Sequence, residues 1–246
     1  MTWPAGVGRH ILAEVDSTMS EAARIAPGLR APTWVLALRQ TAGRGRRGRG
    51  WVDPEGNFAA TLAIPTAEPP AQLALRSFVA ALALHETLVT LTGRGAVFAL
   101  KWPNDVLLNG AKVSGILLEN DPRAGVFSIG IGVNLVSAPA PCELEAGAVR
   151  PVSVLAETGV RLTPEEFLDH LAPAYAGWEA AFTAAGFGPI RDAWLKRAAR
   201  LGETMLARVG TAVHEGRFSD VDDQGALVLT TARGRMTIPA GDVFFA

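Results

Sequence analysis

Residues 97–135 read VFALKWPNDVLLNGAKVSGILLENDPRAGVFSIGIGVNL and contain four stretches with the apolar pattern of β-strands. These stretches are Val97–Lys101, Val106–Leu108, Lys112–Leu118 and Phe127–Leu135. Asn109-Gly110, between the second and the third, is a strong signal for a tight two-residue hairpin, because both residue types tolerate positive φ. This part of the chain is therefore predicted to contribute four strands to a β-sheet.

Further strands and helices are predicted on both sides of this stretch from the spacing of apolar residues. Helices dominate after residue 150, and from about residue 205 the chain changes to short strands separated by glycines. The predicted strands are His10–Val15, Thr33–Arg39, Asn57–Ile64, Met205–Val209, Thr211–Val221, Ala226–Thr230, Arg235–Ile238 and Val243–Phe245, and the predicted helices are Ala71–Leu91, Val152–Glu157, Pro164–Ala185 and Ile190–Arg200.

A further short helix is predicted after Asp16-Ser17-Thr18, and it ends at about Ala26 because Pro27-Gly28 follows. Thr18 and Glu21 have the spacing of a capping box, in which two side chains satisfy the free N–H groups of a helix start. The whole order of elements predicts an α+β fold: a mixed β-sheet packed with helices in residues 1–200, and a small β-barrel in residues 201–246.

The composition excludes several classes of protein. A chain of 246 residues with 49% apolar and 19% charged residues can build a core, which excludes a disordered protein. The longest apolar runs are shorter than the roughly 18 residues of a membrane span, and the N-terminus lacks the pattern of a secretory signal. The single cysteine excludes an internal disulfide, and the four scattered histidines indicate no metal site. We therefore expect a soluble, cytoplasmic protein.

The charged residues are distributed unevenly. The net charge is −1, which argues against a surface that binds nucleic acid throughout. Only three of the 23 basic residues are lysines, namely Lys101, Lys112 and Lys196. Because lysine is a compact point charge and arginine is a planar fork, each lysine is a candidate for a specific task.

The segment from Gly43 to Trp51 is the most informative part of the chain. Thr41–Gly50 contains four glycines and four arginines and is expected to be a mobile loop. Glycine allows the backbone to approach a ligand, arginine matches carboxylates and phosphates, and Trp51 offers a flat face to a base. The loop is therefore a candidate to close over a small anionic ligand; from composition alone, an arginine-glycine stretch that is solvated or touches RNA is the alternative.

Two further segments contain candidate functional residues. In Lys101-Trp102-Pro103-Asn104-Asp105 the acid is a candidate to hold a ribose or a magnesium ion, although a plain turn has the same composition. Lys112, at the start of a strand, is a candidate to stabilise charge on an α-phosphate during acyl transfer; an exposed lysine is the alternative. Gly130 and Gly132 indicate that a ligand or another backbone approaches their strand closely; a bulge is the alternative.

Taken together and in this order, the motifs resemble those of the biotin protein ligases. The motifs are Asp16-Ser17-Thr18, Gln40 with the arginine-glycine run ending at Trp51, Lys101–Asp105, Lys112–Leu117 and Gly130–Leu135. The resemblance implies a biotin/lipoate ligase-like catalytic domain followed by a small SH3-like barrel. It also implies a two-step reaction, in which biotin and ATP form biotinyl-5′-adenylate and a carrier lysine then accepts the biotinyl group.

The resemblance also implies roles for individual residues. Lys112, Arg44 and Asp105 would be catalytic, with Lys112 bridging carboxyl and phosphate oxygens. Magnesium and ATP would be the cofactors. The residues implied for biotin are Ser17, Thr18, Met19, Gln40, Arg44, Gly45, Arg46, Lys112, Gly115 and Gly132; those implied for ATP and the adenylate are Arg44, Arg46, Arg47, Trp51, Asn104, Asp105, Lys112 and Asn134.

The chain also departs from the resemblance. Met19 stands where many relatives have asparagine, so one polar contact to biotin is expected to be absent or made by the backbone. No segment before His10 is long enough for a helix-turn-helix, so DNA binding is expected to be absent. The expected acceptor is a carboxylase biotin carboxyl carrier protein, no membrane partner is expected, and a monomer and a homodimer both stay open. Two alternatives are a lipoate or octanoate ligase of the same fold and an RNA-binding module.

Overall fold

The computed structural model describes residues 2–48, 50–52, 54–139 and 149–245, and for Arg47 and Phe245 it describes the backbone only. The described residues form twelve strands and five α-helices. The strands are β1 (Gly8–Leu12), β2 (Thr33–Ala37), β3 (Phe58–Pro65), β4 (Phe98–Lys101), β5 (Asp105–Leu108), β6 (Ala111–Asp121), β7 (Val126–Val133), β8 (Thr204–Val209), β9 (Ala212–Val221), β10 (Leu227–Thr231), β11 (Gly234–Ile238) and β12 (Asp242–Phe245). The helices are α1 (Thr18–Ile25), α2 (Pro70–Thr92), α3 (Val154–Thr158), α4 (Pro164–Ala185) and α5 (Phe187–Leu195).

The first seven strands form one mixed sheet in the order β1-β2-β3-β7-β6-β5-β4. β1 and β2 are parallel, and the other neighbours are antiparallel. The predicted hairpin between β5 and β6 is confirmed, since Asn109 has φ 51° and Gly110 has φ 76°, the positive values that such a turn requires.

Alternation along β7 separates the two faces of this sheet. Phe127, Ile129 and Ile131 belong to the main hydrophobic core, whereas Gly130 and Gly132 face the other side. Helices α2 and α4 cover the core face and pack against each other, and α1 packs on the opposite face, where Ala22 and Ala63 form a separate small cluster. The glycine face is therefore left open beside α1.

Helix α2 is long and apolar enough to cross a membrane by composition alone. However, 72% of its apolar window is buried inside the protein, against the sheet and α4. Its apolar character is therefore explained by its place in the core.

The last five strands form a second, fully antiparallel sheet in the order β11-β10-β9-β8-β12. Among the described residues its two outer strands are not paired, so the sheet does not close into a barrel, which still agrees with the expected SH3-like fold. It is joined to helix α2 through α5, where the Trp194 ring lies 5.3 Å from Phe78 of α2 and 6.5 Å from Phe218 of β9 between centroids. The predicted α+β architecture is confirmed.

The predicted capping box at the start of α1 is wrong. Ser17 is the N-cap residue and makes no capping hydrogen bond through its side chain. The Thr18 hydroxyl instead bonds to Gln40 and Thr61, and the Glu21 carboxylate pairs with Arg24 at 2.7 Å. Both side chains therefore bond elsewhere, Thr18 to distant residues and Glu21 to a neighbour in the same helix. Other element ends differ from the predictions by a few residues: β1 was predicted at His10–Val15, and α5 at Ile190–Arg200.

Candidate functional site

A cleft of about 470 Å³ lies over the open face of the first sheet, a volume typical of small-molecule sites. All residues named above for biotin, ATP and catalysis line this cleft except Arg47, whose side chain lies outside the described part of the chain. The structure thus brings together side chains that are more than 100 residues apart, from Ser17 to Asn134.

The floor of the cleft is a row of small residues. Gly132 on β7 lies directly opposite Ala59 on β3 and Gly115 on β6, so the three share one face of the sheet. The indole of Trp51 lies on this row, and a Cβ added to Gly132 would collide with it. The small side chains of this row therefore leave room over the floor, and the Trp51 indole occupies that room.

Hydrogen bonds order one end of the cleft. The Oε1 atom of Gln40 accepts from the Thr18 backbone N–H at 2.9 Å and from the Thr18 hydroxyl at 3.2 Å. Thr61, fully buried on β3, donates its hydroxyl to Thr18 at 2.8 Å. Because Oε1 is occupied by two donors, the orientation of the Gln40 amide is fixed. Thr61 was not found by sequence reasoning, since a threonine inside a strand carries no local signal.

Ser17 lies at the same end with an unused hydroxyl. Among the described residues its buried Oγ has no hydrogen-bond partner, as expected of a group that meets a polar ligand. The turn that holds it is fixed by Asp16, which accepts from the Ser17 N–H at 2.8 Å and pairs with Arg24 at 2.6 Å. Hydrogen bonding to Arg24, and secondarily to that N–H, lowers the pKa of Asp16 to about 2.

Met19, the departure noted in the sequence, packs on the floor. Its Sδ atom lies 2.8 Å from the position that a Cβ on Gly130 would occupy. The thioether therefore fills the room left by that glycine and walls the end of the cleft with an apolar surface.

A β-bulge sets the direction of Lys112. Strict alternation puts Lys112 and Gly115 on opposite faces of β6, because they are three residues apart. The pairing with β5 shifts between Val106 and Leu107, so that Leu107 faces Lys112 while Val106 faces Ser114. As a result the Lys112 Nζ lies 3.3 Å from the position of a Cβ on Gly115, on the cleft side.

Asp105 holds this lysine at the cleft. The Lys112 Nζ lies 2.6 Å from Asp105 Oδ1, an ion pair by distance although its angles are not those of a hydrogen bond. Lys101 lies 3.8 Å from the other carboxylate oxygen and is buried, and this burial lowers its pKa. Asp105 thus sits between two ammonium groups. Lys101 belongs to the cleft but was not placed there by the sequence analysis.

The described residues of Thr41–Gly50, here called the arginine loop, reach over the cleft and contact the residues beside β12. Arg46, in a short 3₁₀ turn, donates to Asn104 Oδ1 at 3.1 Å and to the Gly241 carbonyl at 3.3 Å. It also pairs with Asp242 at 3.5 Å. Arg44 points instead to Glu119 on the rim, at 3.5 Å.

Trp51 closes the loop over the lysine. Its ring centroid lies 6.0 Å from the Lys112 Nζ, within reach of a cation–π contact. The Trp51 backbone N–H donates to the Gly43 carbonyl at 2.9 Å, which ties the two ends of the loop together. The base of the arginine loop and the lysine therefore face the same space.

Asn104 and Asn134 differ in whether their side-chain amides keep an atom available to a ligand. Asn104 uses both ends of its amide, because its Nδ2 donates to the Ile116 carbonyl at 2.5 Å while Arg46 occupies its Oδ1. Asn134 donates Nδ2 to the Val152 carbonyl at 3.0 Å, and within the described residues its buried Oδ1 has no partner. Asn134 therefore presents a fixed acceptor to a ligand N–H.

The residues of the cleft do not form a magnesium site by themselves. Mg²⁺ takes oxygen ligands in octahedral geometry. In the described part of the cleft the carboxylates are Asp105 and Asp242, and each is paired with a cation. Nor do the described residues contain a cluster of three His, Cys, Asp or Glu side chains placed to hold a metal.

Part of the cleft wall comes from the second sheet and was not predicted as part of the site. Arg208, Asp242, Val243 and Phe244 line it, and the Arg208 guanidinium stacks on the Phe244 ring at 4.6 Å. No local pattern marks these residues, since they reach the cleft only because the second sheet docks beside it.

Two family descriptions match the chain. Residues 13–135 match the biotin/lipoate A/B protein ligase family, and residues 201–246 match the biotin protein ligase C-terminal domain. The chain is 55% identical to a biotin–[acetyl-CoA-carboxylase] ligase of Paracoccus denitrificans, over 96% of this chain and 99% of that protein.

Solved structures are similar as well. A biotin protein ligase from Aquifex aeolicus in complex with biotin and ATP is 27% identical and superposes with a TM-score of 0.83, covering 96% of this chain and 97% of the other. A Leishmania major biotin protein ligase in complex with biotinyl-5-AMP is also 27% identical, with a TM-score of 0.59 over 96% of this chain and all of the other.

Proposed function

Since the chain belongs to the biotin/lipoate A/B protein ligase family and is a biotin protein ligase, we propose that its cleft joins biotin to ATP and then passes the biotinyl group to a carrier lysine. The observation that carries the proposal is the arrangement of Lys112, held by Asp105 at 2.6 Å, beside the arginine loop and over a floor of glycines. A relative solved with biotin and ATP, and another solved with biotinyl-5-AMP, support both the ligands and the intermediate.

In the first step the biotin carboxylate attacks the α-phosphorus of ATP. A new carboxyl–phosphate bond forms, the bond to the β-phosphate oxygen breaks, and pyrophosphate leaves. Negative charge grows on the α-phosphate oxygens, and a fixed ammonium beside them lowers the barrier. Lys112 supplies that ammonium, and Asp105 keeps it aimed.

The ligand lies with its two halves at opposite ends of the cleft. Ser17, Thr18 and Gln40 hydrogen-bond the polar ring atoms of biotin, and Met19 covers its edge. Asn134 accepts from the adenine amino group while Trp51 stacks on the base. Arg44, Arg46 and Arg47 approach the phosphate, with Gly45 giving the backbone room.

In the second step a neutral carrier amine attacks the carbonyl of the mixed anhydride. The amide bond forms, the bond from the carbonyl carbon to the AMP oxygen breaks, and AMP leaves with the electron pair while the amine proton passes to solvent. The acceptor is a carboxylase biotin carboxyl carrier protein, by analogy with the Paracoccus denitrificans ligase.

Several finer points belong to the same proposal. Magnesium arrives with ATP, held mainly by the phosphates. Residues 1–200 form the catalytic domain and residues 201–246 a second domain that completes the cleft. The protein works in the cytoplasm.

Pyrophosphate release by the pure protein tests the proposal. With ATP and magnesium we expect release when biotin is added, and labelled biotin should appear on an added carrier domain. Lipoate and octanoate serve as matched acids of the same family's chemistry. Release with either of these and none with biotin would overturn the proposal, as would no release with any acid.

A further inference from the structure

The turn between β9 and β10, residues 222–226, is here called the docking turn. It is closed by its own hydrogen bonds: Asp222 Oδ1 accepts from the Gln224 and Ala226 N–H groups, both at 2.9 Å. The Gly225 N–H donates to the Asp222 carbonyl at 3.0 Å. Its shape is therefore set locally, before it meets the rest of the protein.

Gly225 presses this turn onto helix α2. It has φ +80°, and a Cβ there would lie 2.9 Å from Phe78 Cε2 and 3.1 Å from Leu75 Cδ2. Glycine is required for both reasons, the positive φ and the close approach. From the other side, the Arg191 guanidinium on α5 pairs with Asp220 at 2.7 Å, which fixes the end of β9 that leads into the turn.

The docking turn is bonded to the loop between β4 and β5, which leads into Asp105 at the start of β5. The Gly225 carbonyl accepts the indole N–H of Trp102 at 3.0 Å, and Trp102 is only 3% exposed. The next residue, Pro103, accepts from the Ser77 hydroxyl of α2 at 3.1 Å. The loop therefore has two anchors, one on α2 and one on the second sheet.

The residues that follow Trp102 reach the reacting part of the cleft. Asn104 accepts from Arg46, and Asp105 lies 2.6 Å from the Lys112 Nζ. A displaced Trp102 ring would displace both contacts together. The other end of the cleft is held by its own contacts: Ser17 and Thr18 lie at the start of α1, and Thr18 bonds to Gln40 and to Thr61 on β3.

We infer that the docking turn of the second sheet sets the positions of Asn104 and Asp105, and that Trp102 and Gly225 are positioning residues for adenylate formation. The inference rests on the proposed function. It assigns the second sheet a task in the first chemical step, through a buried hydrogen bond on the far side of the loop from the ligand.

Replacement of Trp102 by phenylalanine tests the inference, because it removes the indole N–H and keeps an aromatic ring. The matched control is Trp178→Phe, whose indole N–H bonds to Glu86 at 2.8 Å on the surface, away from the cleft. The measurement is single-turnover formation of biotinyl-5′-adenylate at saturating ATP and varied biotin. Its rate constant reports positioning, and its amplitude reports the folded, active fraction.

For Trp102→Phe we expect the rate constant to fall by roughly 3- to 30-fold, as small misplacements of reacting groups do. The biotin concentration for half-maximal rate should stay within about twofold, because the biotin end is independently built. Trp178→Phe should match the unaltered protein. A fall in amplitude alone, with the rate constant unchanged, would show a merely structural role and overturn the inference.

Gly225→Ala provides a second test from the other side of the same bond. The added methyl must push the turn away from Phe78, so we expect a similar loss of rate constant in the molecules that remain active. A wild-type rate constant in both variants would contradict the inference. If the unaltered protein itself formed no adenylate from biotin, the proposed function would fail first, so the two failures are distinguishable.

Discussion

Lys112 differs from the other two lysines of the chain in its surroundings. Lys101 is buried, and Lys196 is exposed at the end of α5, away from the cleft. Lys112 alone combines an anchoring carboxylate with a partly exposed position over the glycine floor, its side chain being 30% exposed. The Lys112 ammonium can therefore contact a ligand in the cleft without having to move out of the protein core.

Lys112→Ala should lower the rate of adenylate formation by at least about 100-fold, because it removes the charge aimed at the α-phosphate. The fold should persist, since the side chain is not part of the hydrophobic core. Pyrophosphate release and circular dichroism measure the two effects. Lys196→Ala is the matched control and should leave the rate unchanged; near-normal turnover by Lys112→Ala would remove the lysine from the mechanism.

Asp105→Asn should act through Lys112. The amide keeps the size of the side chain and loses the charge, so the ammonium is no longer held at 2.6 Å. We expect adenylate formation to slow by roughly tenfold, less than on removing the lysine itself. Combining the two substitutions should cost no more than Lys112→Ala alone, and fully additive losses would argue against a shared task.

At the scale of elements, the floor of the cleft is a property of β3, β6 and β7 together rather than of one residue. The row Ala59, Gly132 and Gly115 exists because antiparallel register places these residues side by side. The apolar residues that alternate with them secure the strands in the core. The strands can therefore have glycine or alanine on one face and still pair in a stable sheet.

Gly132→Ala should weaken binding of the adenylate by about tenfold or more while the sheet stays folded. The methyl enters the space over the floor, where Trp51 now lies, and alanine is tolerated in a strand. Equilibrium binding of biotinyl-5′-adenylate and urea unfolding measure the two effects. Gly177→Ala in α4, where an added Cβ meets nothing within 4 Å, should stabilise the fold and leave binding unchanged.

The arginine loop is the second element with a testable role. Arg46 bonds to the Asn104 side chain and to the Gly241 carbonyl, whereas the Arg44 guanidinium pairs with Glu119 on the rim of the cleft. Arg46→Ala should therefore speed escape of the adenylate by about 10-fold, because it loosens the closed loop. Stopped-flow release of the adenylate measures the rate, with exposed Arg30→Ala as the control. An unchanged release rate would refute this role of the loop.

At the scale of the whole molecule, two sheets share one core and one cleft. The hydrophobic core runs from β3 through α2 and α5 to β9, so the second sheet is packed against the first. It also supplies Asp242 and Phe244 to the cleft wall. A displacement of the second sheet is therefore expected to change the geometry of the cleft, as the hydrogen bond between Trp102 and Gly225 illustrates.

The stability of this shared core should depend on pH through His85. Burial, and secondarily the charge of Arg197, lowers the pKa of this α2 side chain from 6.5 to about 4. The unfolded chain therefore binds a proton between pH 6.5 and pH 4 when the folded protein does not. The stability that the protein gains from a neutral His85 is therefore complete above pH 6.5, and it is lost as the pH falls towards 4.

Urea unfolding measured from pH 7.5 to pH 4.5 checks this expectation. His85 should account for a fall of roughly 1–2 kcal/mol in the free energy of unfolding, discounted because the ring is partly exposed. His85→Gln should show a shallower fall over the same range, whatever its stability at pH 7.5. Parallel curves for the two proteins would exclude His85 as the source.

The sequence by itself determined the elements, their order and the chemical character of the site. Periodicity located the strands and helices, because burial imposes a period of two or 3.6 on nearby residues. The glycines of β7, the arginine loop and Lys112 were visible because their composition is locally unusual. The motif order was enough to indicate the family.

Only the tertiary structure decided how these parts face one another. The bulge in β6 turned Lys112 towards Gly115, and Thr61 drew the Thr18 hydroxyl away from the predicted capping box. The docking turn met Trp102 across 123 positions of sequence. Register and docking depend on the packing of the whole core, and no local pattern records which distant residue will supply a partner.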